Sequence, residues 1–302
     1  MILDKNINIL SLFDGMSCGQ IALNKLGIKY DNYFVSEIDK RAISVTMDNY
    51  PNTIQLGSVI NVDTTKLPRI DLLIGGSPCQ SFSLAGTKKG MVTTENVEVT
   101  TLDKYLELKS DGFEFQGQSY LFWEYVRILK ETNPKYFLLE NVMMSPKWKK
   151  IITDTLGVEP ILLNSSDVSI QSRKRLYWTN ITVDTNIPNT NTHFYNEYSK
   201  EYPDDIILTG RGLNKLNRSR SRVYSIEDSK LPTLLKAQEV KPTDAIVIKH
   251  GDIYRYPTRE EAEKMQTVPI GYTKNAKYND AMGMLGNGWT VDIIKHIFSF
   301  IK

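Results

Sequence analysis

Residues 7–19 read INILSLFDGMSCG, and the fold class turns on them. INILSLF (7–13) is apolar without strict alternation, the pattern of a strand buried on both faces. It runs into Asp14-Gly15-Met16-Ser17-Cys18-Gly19, a tight glycine-bearing turn, and then into a helical stretch near 18–27. A two-face-buried strand, a glycine turn and a helix make the opening of a doubly wound α/β sheet, whose ligands sit at the carboxyl ends of the strands. The turn lacks the full G-x-G-x-x-G of a dinucleotide site. A plain strand-to-helix turn accounts for it equally well at this point.

Outward from this unit the same alternation repeats. YFVSEID (33–39) is a second strand, and RAISVTMDNY (41–50) a helix stopped by Pro51. A third short strand is expected near 53–57, and IDLLIGG (70–76) as a fourth. SYLFWEYVRILKET (119–132) carries apolar residues at helical spacing before a fifth strand, KYFLLENV (135–142). Residues 146–157 read as a helix, and 160–163 and 175–181 as two further strands. From about 182 to 265 the sequence turns polar, with Pro188, Pro203, Pro232, Pro242 and Pro257 spacing short segments. TVDIIKHIFSFI (290–301) is again apolar at helical spacing and should pack back on the first unit. The expectation is a discontinuous α/β domain, 1–181 plus 266–302, with a small inserted domain at 182–265.

Composition narrows the class. With 302 residues, 41% hydrophobic and 24% charged, the chain has material for one large core and one appendage. No apolar run reaches the eighteen or so residues of a membrane span, and MILDKNINIL does not read as a secretory leader. The expected location is therefore the cytoplasm, with Cys18 and Cys79 as free thiols. His193, His250 and His296 are scattered without cysteine pairs, so no metal site is expected. The net charge of +2 decides nothing, but Arg211, Lys215, Arg218, Arg220 and Arg222 fall in one stretch without an acid among them. That stretch reads as a phosphate-facing strip or as a solvated loop.

Several residue types at the ends of the expected strands carry chemistry. Glu37 closes the second strand, and an ionised carboxylate accepts donors only, which suits the hydroxyl pair of a ribose. Phe13 and Ile38 would offer the apolar faces an adenine packs against, although core packing explains both equally. Gly75-Gly76-Ser77-Pro78-Cys79-Gln80-Ser81-Phe82-Ser83 follows the fourth strand and sets a cysteine in a polar, glycine-rich loop where a thiolate is favoured. Glu140-Asn141-Val142 ends the fifth strand on the same rim; a carboxyl group of raised pKa there could protonate a ring nitrogen as a thiolate attacks. Gln171-Ser172-Arg173-Lys174-Arg175 opens the seventh strand with arginines two apart, hence on one face. Two fixed cations there would suit a phosphate, a pyrimidine carbonyl or the acid itself. Taken singly, Glu140 and Arg173 are more often members of ion pairs.

In order and spacing, FDGMSCG, SEID, PCQ with SFS, LFWEYVRIL, ENV, QSRKR and LGNGWTVDII together resemble the DNA cytosine-C5 methyltransferase family over nearly the whole chain. The LGNGW ending is most similar to the de novo class and its phage and bacterial relatives, enzymes of DNA methylation and, in bacteria, of restriction-modification. The resemblance implies a Rossmann-like methyltransferase sheet with a small inserted target-recognition domain, S-adenosyl-L-methionine as cofactor and double-stranded DNA as partner. It implies no membrane and no obligatory protein partner. Cys79 then looks like the nucleophile that adds to C6 of a flipped cytosine, Glu140 like the acid at N3 and Arg175 like the residue on O2, while Arg173 orients the acid and a phosphate. Phe13, Gly15, Met16, Ser17, Glu37, Ile38, Ser58, Pro78, Leu121, Asn287 and Trp289 fall at positions similar to the family's cofactor contacts. Ser58 stands where the family usually has an aspartate for the adenine amino group, so that hydrogen bond lacks charge assistance.

For DNA, the resemblance points to Gln80, Ser83, Lys88, Lys89 and Gln171, and the basic strip from Arg211 to Arg222 supplies candidates for phosphate and base contacts. Residues 84–119 exceed the family's usual catalytic loop; they read either as a lid over the base or as an elaboration without catalytic role. Three other readings stand beside the methyltransferase: an RNA or tRNA cytosine methyltransferase on the same scaffold, a silent DNA-binding relative, and a nucleotide-binding dehydrogenase. The dehydrogenase lacks its fingerprint, and a silent relative has no chemical reason to keep Cys79, Glu140, Arg173 and Arg175 together.

Overall fold

The apolar run of β1 (Ile7–Leu12) lies at the centre of the sheet, where its residues are buried or nearly so on both faces. The computed structural model describes residues 7–78, 91–216, 222–236 and 245–302, with the side chains of Arg211 and Lys215 outside that set. From β1 the chain winds outward through α1 (Cys18–Leu26), β2 (Tyr30–Ser36), α2 (Lys40–Asn49) and β3 (Ile54–Gln55). It then crosses back to β4 (Leu72–Gly75) on the other side of β1 and continues through α3 (Leu102–Ser110), α4 (Phe122–Thr132) and β5 (Tyr136–Asn141). After α5 (Pro146–Leu156), β6 (Ile161–Asn164) and β7 (Gln171–Ser172), β8 (Lys174–Thr179) inserts between β5 and β6.

Among the described residues the main sheet is seven-stranded, in the order β3-β2-β1-β4-β5-β8-β6. β1 pairs in parallel with β2 and β4, and β4 with β5, whereas β8 runs antiparallel to both of its neighbours. The winding direction reverses between β1 and β4, which makes the gap above their carboxyl ends the switch point of the sheet. This is the doubly wound, mostly parallel architecture expected from the sequence. Two details differ. The third strand shrinks to Ile54–Gln55, and the expected run through QSRKR is interrupted at Arg173, between β7 and β8.

Local chemistry sets the helix ends. Gly27 and Gly157 adopt left-handed φ of 69° and close α1 and α5, where a side chain would be strained. Asp39 caps α2 by accepting from the Arg41 N–H, and Pro146 occupies the first turn of α5. Residues 91–118 fold onto α4 as a packed elaboration, burying Met91, Val99, Tyr105 and Leu108. Glu124 anchors it: the carboxylate has 0% exposure and accepts from Tyr105 Oη (2.6 Å), Lys109 Nζ (2.6 Å) and Arg127 Nε (2.7 Å). A buried carboxylate is tolerable only when its lone pairs are met in this way.

The C-terminal third contains α6 (Phe194–Glu197), α7 (Arg211–Leu216), β9 (Arg222–Ser225), β10 (Leu231–Pro232), β11 (Ile246–His250) and β12 (Ile253–Arg255), followed by α8 (Arg259–Met265), α9 (Tyr278–Asn287) and α10 (Val291–Phe298). β11 pairs in parallel with β9 and antiparallel with β12. Leu231, Leu234, Ile246 and Ile248 join the same apolar core as Ile9 and Ile74. In this region Arg255 and Glu261 form a fully buried bidentate pair at 2.7 Å, locked by the Thr258–Glu261 capping box. α10 buries Val291, Ile293, Ile294, Ile297 and Phe298 and packs beside α1, tied by Lys25 to Asp292 (2.9 Å). No helix among the described residues is long and apolar enough to cross a membrane.

Two glycines hold this assembly together at close quarters. A Cβ on Gly286 would lie 2.4 Å from the Leu235 carbonyl carbon, whereas one on Gly19 would meet the movable end of Ile74. Gly286→Ala is expected to cost about 2–3 kcal/mol through forced backbone displacement, and Gly19→Ala less than half of that. Thermal unfolding of the two variants beside the parent checks the order.

Candidate active site

The turn that leaves β1 is built from left-handed backbone. Phe13 (φ 57°), Gly15 (φ 60°) and Ser17 (φ 61°) all have positive φ, and for Phe13 and Ser17 this is a strained state that surrounding bonds must hold. Phe13 N–H donates to the Ser36 carbonyl (2.8 Å) and Gly15 N–H to Glu37 Oε2 (2.8 Å), stitching the exit of β1 to the exit of β2. Asp14 fills the inside of the turn, accepting from the Ser11, Ser17 and Tyr33 hydroxyls. Desolvation pushes its pKa up to about 6, against the pull of the Ser11 and Ser17 bonds, which favour the charged form.

Glu37 Oε1 also accepts from the Ile38 (2.7 Å) and Asp39 (2.8 Å) N–H groups. Of roughly four lone-pair sites on a carboxylate, three are thus engaged, and one remains for an incoming hydroxyl. Beside it Ile38 is 66% exposed, unusual for an aliphatic side chain, and Phe13 is half-buried. Ser58 stands partly exposed at the head of a short 3-10 turn, Val59–Asn61, with its hydroxyl not used as a cap. Met16 is buried, its carbonyl taken by Tyr272 Oη (2.8 Å). Pro78 and Leu121 are half-buried, and Asn287 is exposed at the end of α9.

Across the switch point, Gly75-Gly76-Ser77-Pro78 leaves β4 where side chains have no room. A Cβ on Gly75 would stand 3.0 Å from the Leu12 carbonyl oxygen and from the Tyr125 ring. Asn141, the last residue of β5, reaches over to hold this loop, donating from Nδ2 to the Ser77 carbonyl (3.2 Å) and Oγ (3.1 Å). The loop so anchored leads directly to residue 79. Next to Asn141, Glu140 is buried and doubly held: Arg175 Nε pairs with Oε1 at 3.0 Å, and the Trp289 indole N–H donates to Oε2 at 3.0 Å.

Cys79, Gln80, Ser83, Lys88 and Lys89 lie outside the described residues, as do Arg218 and Arg220 and the side chains of Arg211 and Lys215. Arg222 sits in β9 and donates to the Thr233 carbonyl (3.2 Å). Cys18, the other thiol, is buried at the start of α1, and desolvation pushes its pKa up to about 12, which leaves it an inert core sulfur.

Two expectations are corrected. Arg173 does not bond to the acid: it is buried, donating to the carbonyls of Leu234 (2.9 Å), Gly286 (3.3 Å) and Gly288 (3.0 Å). Burial, and then the neighbouring Arg175 charge, bring its pKa down to about 9. The break between β7 and β8 sends the two arginines to different partners, so strand alternation does not apply to them. Gln171 is not a DNA contact. Its side chain has 0% exposure, donating to the Met265 carbonyl and Gln266 Oε1 (3.1 Å) and accepting from Leu234 N–H (3.1 Å). Asp14 and Asn141 were overlooked, although the first lies within the quoted turn and the second within the ENV run.

The switched parallel sheet with one reversed strand thus carries a strained turn on one lip and an arginine-held carboxylate on the other, an α/β architecture with its polar groups gathered at the switch point. Residues 7–210 match the model of the C-5 cytosine-specific DNA methylase family, and the chain belongs to that family, whose members depend on S-adenosylmethionine. Among curated relatives, the orphan methyltransferase M.SPRI of Bacillus phage SPR is 34% identical over 191 residues, 59% of this chain and 38% of that protein. The type II methyltransferase M.NlaIV of Neisseria lactamica is 30% identical over 197 residues, 58% of this chain and 41% of that protein. The chain thus spans about two fifths of the length of these relatives. The S. pombe Dnmt2 methyltransferase shares the fold with a TM-score of 0.72 at 16% identity, covering 97% of this chain and 98% of the other. A mutant of Spodoptera frugiperda DNMT2 gives 0.70 at 18%, covering 98% and 99%.

Because the folded protein keeps on Asp14 a proton that the unfolded chain releases near 3.8, this group's contribution is complete below about pH 4 and fades as pH rises through about 6. Asp14→Asn should flatten the fall in stability across that window, by on the order of 2 kcal/mol. Urea unfolding at a series of pH values reads this directly; an unchanged slope would mean that Asp14 does not titrate there.

Proposed function

We propose that the chain methylates cytosine at C5 in double-stranded DNA, drawing the base out of the duplex. The observation that carries the reading is the Glu140 carboxylate held by Arg175 beside the Gly76–Pro78 loop that delivers residue 79. An acid and a thiolate brought close together are what addition to a pyrimidine needs. Family membership and the names of the phage and bacterial relatives support DNA as the substrate. They also favour work in the cytoplasm of a bacterial or phage-infected cell.

In this reading the Cys79 thiolate forms a bond to C6 while Glu140 gives its proton to N3, so the ring gains no net charge. Arg175 holds O2 and keeps Glu140 oriented. When the C5 proton leaves to water, the C6–sulfur bond breaks, the thiolate departs and N3 returns its proton to Glu140. Before the C5 proton leaves, bound S-adenosylmethionine would supply the methyl group that C5 takes, its sulfonium–methyl bond breaking and S-adenosylhomocysteine being left as the thioether. The groups at the ends of β1 and β2 would suit an adenosine: Glu37 has one acceptor site left for a ribose hydroxyl, Ile38 and Phe13 offer apolar faces, and Ser58 a hydroxyl for the adenine amine. Gly15, Pro78, Leu121 and Asn287 would complete the wall, with the buried side chains of Met16 and Ser17 behind it. Base eversion is required because C5 and C6 cannot be approached from above within a stack. Gln80, Ser83, Lys88 and Lys89 would meet the strand near the base, and Arg211, Lys215, Arg218, Arg220 and Arg222 would meet phosphates and base edges.

Methyl transfer from tritiated S-adenosylmethionine to duplex DNA, with tRNA run in parallel, tests the substrate; faster transfer to tRNA overturns the DNA reading. Cys79→Ser should lower turnover by on the order of 10³-fold or more while DNA binding persists. An oligonucleotide containing 5-fluorocytosine should become covalently linked at residue 79, and a mass-spectrometric assignment to any other residue refutes the mechanism. Removing the cations of Arg218 and Arg220 together should weaken binding and reduce the slope of log K against log salt by about 1–2. An unchanged slope places the DNA elsewhere.

A further inference from the structure

The indole of Trp289 lies tight against Gly76 and in contact range of Gly19. A Cβ on Gly76 would lie 3.0 Å from its Nε1 and 3.4 Å from Cζ2, and one on Gly19 would lie 3.7 Å from Cζ3. The same Gly76 Cβ would fall 3.1 Å from Glu140 Oε2, crowding the flank of the bond between the two groups. The missing side chain at residue 76 therefore permits the indole N–H to reach the carboxylate at 3.0 Å. The ring is placed from the other side as well: Gly288 packs against Met16 and Cys18, and Thr290 opens α10. Trp289 is thus held by α1, by the loop after β4 and by α10 at once.

We propose that Trp289 is a positioning residue for Glu140, its indole N–H fixing Oε2 as Arg175 fixes Oε1, so that the carboxyl plane faces the everted cytosine. This goes beyond a wall of the cofactor pocket, the role expected of Trp289 from resemblance, and it rests on the reading of Glu140 as the acid. An indole N–H is a donor only. It stabilises the ionised carboxylate through one lone pair of Oε2 and cannot accept the proton that Glu140 carries. The indole therefore favours the charged form and leaves the remaining lone pairs as the route for proton exchange with N3. Among the described residues, the other charged or titratable groups that act on Glu140 are Arg175 and Tyr177 on β8, Arg173 between β7 and β8, and Cys18 at the start of α1.

Trp289→Phe keeps the flat ring and removes the donor. The limb of the pH profile of kcat/KM that belongs to Glu140, identified by its absence in Glu140→Gln, should move up by about half to one pH unit, since a bond to the charged form is lost. The KM for S-adenosylmethionine should change by less than about threefold. Gly76→Ala should reproduce the shift, and the double variant should add little to either single one. Where turnover is too low for a profile, infrared titration of the carboxyl stretch missing from Glu140→Gln reads the same protonation without catalysis. An unmoved limb or carboxyl titration, with a raised KM for S-adenosylmethionine, overturns the proposal and returns Trp289 to the cofactor wall. Full activity of Glu140→Gln would instead sink the reading of Glu140 as the acid, and the infrared result would stand apart from it.

Discussion

The left-handed turn between Phe13 and Ser17 is the constraint from which the site is assembled. Three positive φ angles in five residues make an unfavourable backbone, and it persists because Asp14 fills its inside and Glu37 holds its outside. That turn sets where α1 begins. It places Met16 and Cys18 as the surface on which Gly288 rests, and so decides how the chain enters α10. Trp289 lies one residue beyond Gly288, and its indole reaches Glu140 on the far lip of the sheet. The two lips are thereby joined through a path that begins with a strained turn and ends on the carboxylate.

The site gains its rigidity from absent side chains as much as from present ones. Gly75, Gly76, Gly19 and Gly286 each sit where backbone or ring atoms from a distant segment come within contact of a would-be Cβ. Around them buried polar groups are matched: Asn141 to Ser77, Gln171 to Met265 and Gln266, Arg173 to three carbonyls. In a low-dielectric interior such groups are costly if unpaired and directional if paired. They therefore fix the relative placement of the sheet, the segment around Leu234 and the 286–289 corner. This corner closes the chain back on its first strand.

Much of the architecture was legible along the chain. Apolar runs at 7–13, 70–76 and 135–142 reported strands buried on both faces, and helical spacing in 119–132 and 290–301 reported α4 and α10, because periodicity is a local property. The site was legible in part. Glu37, Glu140 and Arg175 stand out in the sequence because strand ends in this sheet collect ligands, and the folded chain brings Glu140 and Arg175 together at 3.0 Å. Arg173 and Gln171 misled because the break at residue 173 between β7 and β8 is invisible to alternation, and both side chains turn inward toward segments 61 to 115 residues away. Asp14 was overlooked because an acid beside a glycine reads as turn chemistry; only burial among Ser11, Ser17 and Tyr33 marks it as a structural carboxyl.

By itself the sequence determined which segments are strands and helices, which residues carry reactive groups, and that the strands build one wound sheet. Hydrophobic periodicity and the φ demands of glycine act over a few residues, and the order of residues encodes them directly. Tertiary structure alone decided which oxygen of Glu140 meets which donor, why residue 76 has no side chain, and that Arg173 braces backbone instead of the acid. Those outcomes depend on separations of a few ångströms between residues far apart in the chain, and such distances exist only once the sheet has closed.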